Sequence, residues 1–303
     1  MLIEAVLLTV ITAATPLLIA AAGELVVERA GVLNLGVEGM MLMGASCGFA
    51  VAIVTGSSLL GALAGILAGA ALAAVFALMV LGLAANQVAS GLALTILGMG
   101  ISGLAGAGFV GARRDPAPKL HVAGLSDIPF VGPVLFGQDA FVYASFALLA
   151  LVAWFLWRTR PGLALRAIGD NPDSAHALGH GVLLVRLAAI LFGGACAGLA
   201  GAYLSLAYTP FWVKGMTAGR GWIALALVVF ASWRPLRLLL GAYLFGAVTV
   251  LQLYAQGAGL AIPTQLMSSL PYLATIVVLV MISRARSHAA APAALGLPFI
   301  PNR

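Results

Sequence analysis

Apolar positions run almost unbroken along this chain, and the polar ones collect in a few narrow gaps. No Asp, Glu, Lys or Arg stands between Glu4 and Glu24, and none between Gly39 and Ala112. A membrane-crossing helix needs only about 20 predominantly apolar residues, so the second stretch holds three crossings. Turn-forming gaps such as residues 55–58 divide the sequence into predicted spans at 5–23, 31–55, 58–84, 91–112, 140–157, 187–209, 238–256 and 268–283. A further apolar piece, 222–233, reaches only about 18 Å as a helix against about 30 Å of hydrocarbon. It reads as a half-helix, whose broken backbone must be satisfied by protein or by a water-filled cavity. The alternative is a tilted ordinary span extended by residues 217–221. The expected fold is all-α: a polytopic integral membrane bundle of about eight transmembrane helices plus a short half-helix, one transmembrane domain over 1–303 with a cytoplasmic loop at 158–186.

Composition strengthens this picture. Apolar residues make up 63% of the chain and charged residues 8%, against about a quarter charged in soluble domains. The net charge of +6 does not imply nucleic acid, because the basic residues stand singly or in pairs at the ends of apolar runs. A nucleic-acid surface would cluster them among aromatics; this distribution is that of orientation signals. Arg158, Arg160, Arg166 and Arg186, then Arg234 and Arg237, then Arg284 and Arg286 place their loops in the cytoplasm. Counting spans back puts segment 24–38 inside, loop 115–139 outside and the N-terminus outside. Arg113, Arg114 and Lys119 then fall on the outer side, in a longer loop with Pro116, Pro118, Pro129 and Pro133. The first apolar run is preceded by Glu4 and no basic residue, so it reads as a retained helix rather than a signal peptide. Gly61, Gly65 and Gly69, like Gly194 and Gly198, have the spacing that lets helices approach closely in lipid. Trp154, Trp157 and Trp233 are expected in an inner aromatic belt, Trp212 and Trp222 in an outer one.

Three polar stretches carry the candidate chemistry. In ERAGVLNLGVEGMM, residues 28–41, Asn34 and Glu38 share a helix face next to Glu28 and Arg29. They form either a patch that touches solute or gates its path, or a network that fixes helix packing. In NQVAS, residues 86–90, Asn86, Gln87 and Ser90 offer hydrogen bonds to a polyhydroxylated or heterocyclic solute without the cost of burying an ion, or else they form a turn. In the loop RTRPGLALRAIGDNPDSAHALGH, residues 158–180, Asn171 suits an N-cap, Pro172 the first helical position, and Asp173 with Ser174 the first turn. A short helix over 172–178 follows, with Ala175, Ala177 and Leu178 as an apolar face that docks on a soluble partner or lies on the membrane. Lys119 and Lys214 are the only lysines and neither precedes Ser or Thr, so no Walker loop is present. His176 and His180 lack the glutamate of an HExxH site, and Cys47 and Cys196 stand in apolar runs with no paired spacing, which leaves no catalytic or metal site in view.

The motifs ERAGVLNLGVEGMM, NQVASGLAL, PGLALRAIGDNPDSAHALG, GRGWIALALVVF and the terminal AALGLPFIP together resemble the branched-chain/simple-sugar class of ABC-transporter permeases. The first of them resembles its nucleoside-uptake branch. The resemblance implies a permease half of a bacterial inner-membrane importer of nucleosides, with a pentose or other simple sugar as the alternative solute. It implies a separate ATPase with two nucleotide-binding modules, which binds the ATP and Mg, together with a paralogous second permease and a substrate-binding lipoprotein or periplasmic protein. It implies no enzymatic activity and no cofactor in this chain. It maps a coupling helix to 163–179, with Leu163, Arg166, Gly169, Asp170, Asn171, Pro172 and Ala175 facing the ATPase. Asn34, Glu38, Asn86, Gln87 and Ser90 are the residues expected at the path or its gate. A carrier driven by an ion gradient is the reading from another class; it needs an acid or His near the midplane, whereas 39–112 is uncharged and Glu38 is expected near an interface.

Overall fold

The computed structural model describes residues 2–121, 123–257 and 291–301, together with isolated positions between 266 and 280. Ten α-helices are defined among the described residues: α1 Leu2–Arg29, α2 Val37–Thr55, α3 Ser58–Ala77, α4 Gln87–Ala105, α5 Ala140–Arg158, α6 Arg160–Asp170, α7 Pro172–Ala177, α8 Val182–Tyr203, α9 Arg220–Phe230 and α10 Pro235–Gly257. Seven of them, with π-turns extending α3 to Gly82 and α8 to Tyr208, are long and apolar enough to cross a membrane. They coincide with the first seven predicted spans. The predicted span 268–283 lies largely outside the described residues, as do Gln265, Arg284, Arg286 and His288.

Local sequence sets the ends of these helices. Ser57 caps α3, Asn86 caps α4, and Asp139 caps α5 by accepting the amides of Phe141 and Val142. Each satisfies donors that a helix start leaves open. Arg158, Arg166, Arg29 and Arg234 collect at one end of the bundle, around the 83–86, 158–181 and 231–234 connections. Arg114 lies at the opposite end, where its guanidinium donates to Ser58 Oγ at 2.9 Å. The Arg114 side chain thus packs against the start of α3.

Close contact between α2, α3 and α8 forms the centre. A Cβ on Gly198 would overlap the carbonyl of Gly65, one on Gly69 the carbonyl of Gly194, and one on Gly44 the backbone of Gly198. The small-residue spacing read from the sequence therefore marks true backbone contact, where dispersion between tightly apposed helices replaces the hydrophobic drive that lipid cannot supply. Aromatic placement follows the sequence only in part. Trp154 is exposed and Trp157 lies under the guanidinium groups of Arg29 and Arg166, at 5.7 and 5.6 Å. Trp212 and Trp233 are buried: one fills the space above Gly106 and the other donates to a carboxylate.

Candidate functional site

The chain leaves α1 at Arg29 and does not re-enter a helix until Val37. Gly31 at φ +83° turns it, the Val32 amide still donates to the Val27 carbonyl at 3.2 Å, and residues 33 and 34 lie outside regular structure. A residue outside a helix can advance farther than the about 1.5 Å of a helical one. This short stretch therefore carries α2 inward before it begins. Leu35 lies against Gly91, and its carbonyl accepts from Thr95 Oγ1 at 2.9 Å. Gly39 packs on Thr95 and Gly98, about 12–16 Å along α4 from its start at Gln87. Glu38 consequently sits near half-depth, not near an interface as the sequence pattern predicted.

At that depth Glu38 meets the start of α9. Residues 209–219 descend from the end of α8 without a helix and bring buried Thr217 and half-buried Gly219 to Glu38. Glu38 Oε1 accepts from Thr217 Oγ1 at 2.5 Å and from the Gly219 amide at 2.8 Å; Oε2 accepts from the Gly221 amide at 2.7 Å. A carboxylate thus occupies the positive end of a helix dipole and closes three donors that would otherwise be orphaned in hydrocarbon. The α9 helix has 11 residues, about 16 Å, so residues 209–230 form one broken span with its irregular half above Glu38. The half-helix read from the apolar piece 222–233 is present in this form.

Arg220 follows directly and escaped the sequence reading. It is partly exposed, its Nη1 donates to the carbonyls of Met216 and Thr217 at 3.3 and 3.2 Å, and its guanidinium lies 5.5 Å from the centre of the Tyr208 ring. The sequence carried one signal for it, a lone charge between Lys214 and Arg234 in an apolar run.

The other end of α9 reaches the arginine-rich end of the bundle. Glu28 Oε2 accepts from Trp233 Nε1 at 2.6 Å, and Arg29 donates to the Trp233 carbonyl at 2.9 Å. One turn earlier on α1, Glu24 is buried with neither carboxylate oxygen hydrogen-bonded; the Asn34 amide approaches it without hydrogen-bond geometry. The half-helix is therefore held at both ends by glutamates from the first polar motif.

Each predicted path residue has a defined place. Asn34 is buried, with Oδ1 accepting from the Gly36 amide at 2.9 Å and Nδ2 3.6 Å from Met40 Sδ. Asn86 accepts the Ala89 amide as the α4 cap. Gln87 bridges two segments: Oε1 accepts from the Leu33 amide at 2.8 Å and Nε2 donates to the Leu297 carbonyl at 3.3 Å. Ser90 is buried one turn further on. Glu38 thus lies deep beside the broken span, Asn34 is buried in the connection that leads to it, at the level of Ser90 and Gly91, and Asn86 with Gln87 stands at the arginine-rich end.

The loop 158–186 folds as α6 and α7. Asn171 Oδ1 accepts the Ser174 amide at 2.9 Å and Pro172 opens α7, as their types predict. Leu163, Asp170 and Asn171 are exposed, Pro172 and Arg166 partly so. Gly169 and Ala175 are buried: a Cβ on Gly169 would overlap the carbonyl of Arg29, and Ala175 packs with Ile168, Val182 and Phe299. The predicted apolar face of α7 is therefore divided, with Ala175 turned inward while Ala177 and Leu178 remain outside.

Residues 6–283 match the family profile described as branched-chain amino acid transport system / permease component. The chain is 46% identical to a candidate glucose ABC transporter permease of Haloferax volcanii, over 89% of this chain and 88% of that protein. It is 31% identical to a guanosine ABC transporter permease of Bacillus subtilis, over 96% and 94% of the two chains, and 30% identical to a nucleoside ABC transporter permease of Lactococcus lactis, over 95% and 94%. No solved structure matches the chain.

Proposed function

We propose, from the premise that this chain belongs to the ABC-transporter permease family of the branched-chain amino acid transport system, that it forms half of an importer's transmembrane path and that the solute is a simple sugar. Membership makes the chain a multi-pass transport subunit that works with an ATPase and a binding protein and performs no catalysis itself. It also removes the gradient-driven carrier.

The 46% identity to the candidate glucose permease carries the sugar assignment. It shifts the balance away from nucleosides, which the first motif suggested. Nucleosides remain the second reading, supported by relatives at 31% and 30% that align over nearly the whole chain.

In this reading the arginine-rich end faces the cytoplasm. The loop 158–186 is the coupling loop, and Leu163, Arg166, Gly169, Asp170, Asn171, Pro172 and Ala175 form or support its ATPase-facing surface. The ATPase carries two nucleotide-binding modules, the second permease is a paralogue, and the binding protein delivers solute from outside. Closure of the ATPase modules moves α6 and α7, and the bundle alternates between outward and inward access. The broken span at Glu38 is the midplane element of the path, with Asn34 beside it. Asn86, Gln87 and Ser90 gate the cytoplasmic mouth. Hydroxyl-rich solutes need donors and acceptors there rather than a buried ion, since the binding protein does most of the selecting.

Uptake of radiolabelled glucose, ribose, adenosine and uridine into cells expressing the complete transporter, with and without a catalytically dead ATPase, tests the proposal. ATPase-dependent sugar uptake is expected. Nucleoside uptake in its place selects the second reading.

A further inference from the structure

Segment 291–301 lies at the arginine-rich end of the bundle, and the transport reading leaves it without a role. Four of its residues hold it there. The Ala294 amide donates to the Gly169 carbonyl at 2.9 Å and the Gly296 amide to the Gly31 carbonyl at 3.2 Å. The Leu297 carbonyl accepts from Arg186 Nη1 at 3.1 Å and from Gln87 Nε2 at 3.3 Å. Phe299 is buried against Ile168, Ala175 and Val182, with its ring edge-on to His176 at 5.5 Å. Two of these contacts engage α6 and α7 themselves, so the segment forms one surface with the coupling loop.

That surface is incomplete. Between α7 and the segment lies a groove of about 430 Å³, with Asp170 and Asp173 on one lip and Leu297, Pro298 and Ile300 on the other. Leu297 is 56% exposed and Ile300 41%, and Leu178 beyond the groove is 80% exposed. These apolar side chains belong to connections outside the spanning helices, where lipid tails do not explain them, and apolar exposure rimmed by polar groups marks a protein contact. Among the described residues, no basic side chain lines the groove. Two carboxylates next to an apolar wall complement an apolar side chain flanked by a lysine or arginine.

We infer that segment 291–301 is the second half of the ATPase docking surface, and that its groove receives an apolar side chain of the ATPase flanked by a basic one. The inference rests on the assignment of 158–186 as the coupling loop. It adds a physical consequence: a displacement of the ATPase acts on α7 and, through the Leu297 carbonyl, on α8 and α4 together.

The test uses the assembled transporter in membranes, with the photo-crosslinking residue benzoylphenylalanine placed at Leu178, at Ile300 and, as a control at the opposite end, at Val54. Crosslinks to the ATPase from both 178 and 300, and none from 54, are expected. A crosslink from 178 without one from 300 overturns the tail inference and leaves the coupling loop standing. Crosslinks from neither overturn both. Charge is tested separately by Asp170→Lys with Asp173→Lys, which should reduce the ATPase retained on purification about fivefold at physiological salt, with the paired Asn variants intermediate. Full retention in the Lys variant, with unchanged permease yield, overturns the assignment of a basic side chain to the groove.

Discussion

The Glu38 carboxylate and the Gly221 amide meet at 2.7 Å, where a first turn of α2 abuts the first turn of a half-length helix. A Cβ on Gly221 would stand 2.5 Å from Glu38 Cα, so the glycine is what allows the acid to come close enough to serve the amides of both Gly219 and Gly221. Because Thr217 donates to the same carboxylate, its removal leaves three donors unmatched in the bundle interior.

Glu38→Leu should therefore destabilise the detergent-solubilised protein by about 3 kcal/mol or more, since each orphaned buried donor costs about 1–3 kcal/mol. Glu38→Gln keeps one acceptor oxygen and should fall between this variant and the parent. Thermal unfolding followed by tryptophan fluorescence reads the order; equal stability of all three proteins would contradict the anchoring role.

Glu24 and Glu28 should respond oppositely to the same change. Glu28→Leu strands the Trp233 indole N–H and should cost about 1–3 kcal/mol. Glu24 has no hydrogen-bonded partner to strand, and replacing an unpaired buried acid by an apolar residue removes its desolvation cost. Glu24→Leu should leave the melting temperature unchanged or raise it, and a fall as large as that of Glu28→Leu would mean that Glu24 is held by contacts of its own.

The contrast between these acids shows where the sequence was legible. The seven spans up to residue 257 were, because their length and freedom from charge follow directly from hydrocarbon thickness. So was the shortness of α9, and so was the Asn171–Pro172 start of α7, whose signals are local. The depth of Glu38 was not, since residues 31–36 are apolar enough to be counted as helix, and only the turn at Gly31 and the non-helical backbone after it reveal that the chain moves inward. Gln87 was legible as a polar residue at a helix start, but its two partners, Leu33 and Leu297, lie 54 and 210 positions away. No local pattern encodes such pairings.

Packing at the centre makes a sharper test of the glycine contacts. Gly198→Ala places a methyl on the Gly65 carbonyl and should cost about 1–3 kcal/mol as α3 and α8 are pushed apart. Gly100→Ala, where a Cβ meets nothing within 4 Å, should be neutral or stabilising by up to about 1 kcal/mol, because alanine restricts the unfolded chain. Melting temperatures of the two variants in the same detergent decide it; similar losses at both sites would show that helix approach is not the cause.

Asn171→Arg combined with Asp173→Arg should uncouple transport while preserving the membrane fold. Asn171 accepts the Ser174 amide and both side chains are exposed, so the change removes a cap worth about 1 kcal/mol and reverses the local charge. Binding-protein-stimulated ATP hydrolysis should be lost along with ATPase retention on the purified permease. Unaltered retention would argue against the assignment of this loop.

Arg220 supplies the last test, because it separates a path residue from a structural one. Its guanidinium accompanies the Tyr208 ring and the carbonyls of Met216 and Thr217, next to the backbone that Glu38 holds at half-depth. A cation so placed is expensive to keep and usually functional, and its partial exposure leaves donors free to meet hydroxyl oxygens of a passing solute. Arg220→Gln retains a hydrogen-bonding head but loses the charge and the planar stack, and Arg220→Lys keeps the charge alone. If the group serves the solute, both variants should lower maximal uptake about tenfold or more, while the melting temperature changes little and the ATPase remains bound. If it serves the fold, stability and uptake should fall together in Arg220→Gln, and that outcome would return the role of the midplane entirely to Glu38.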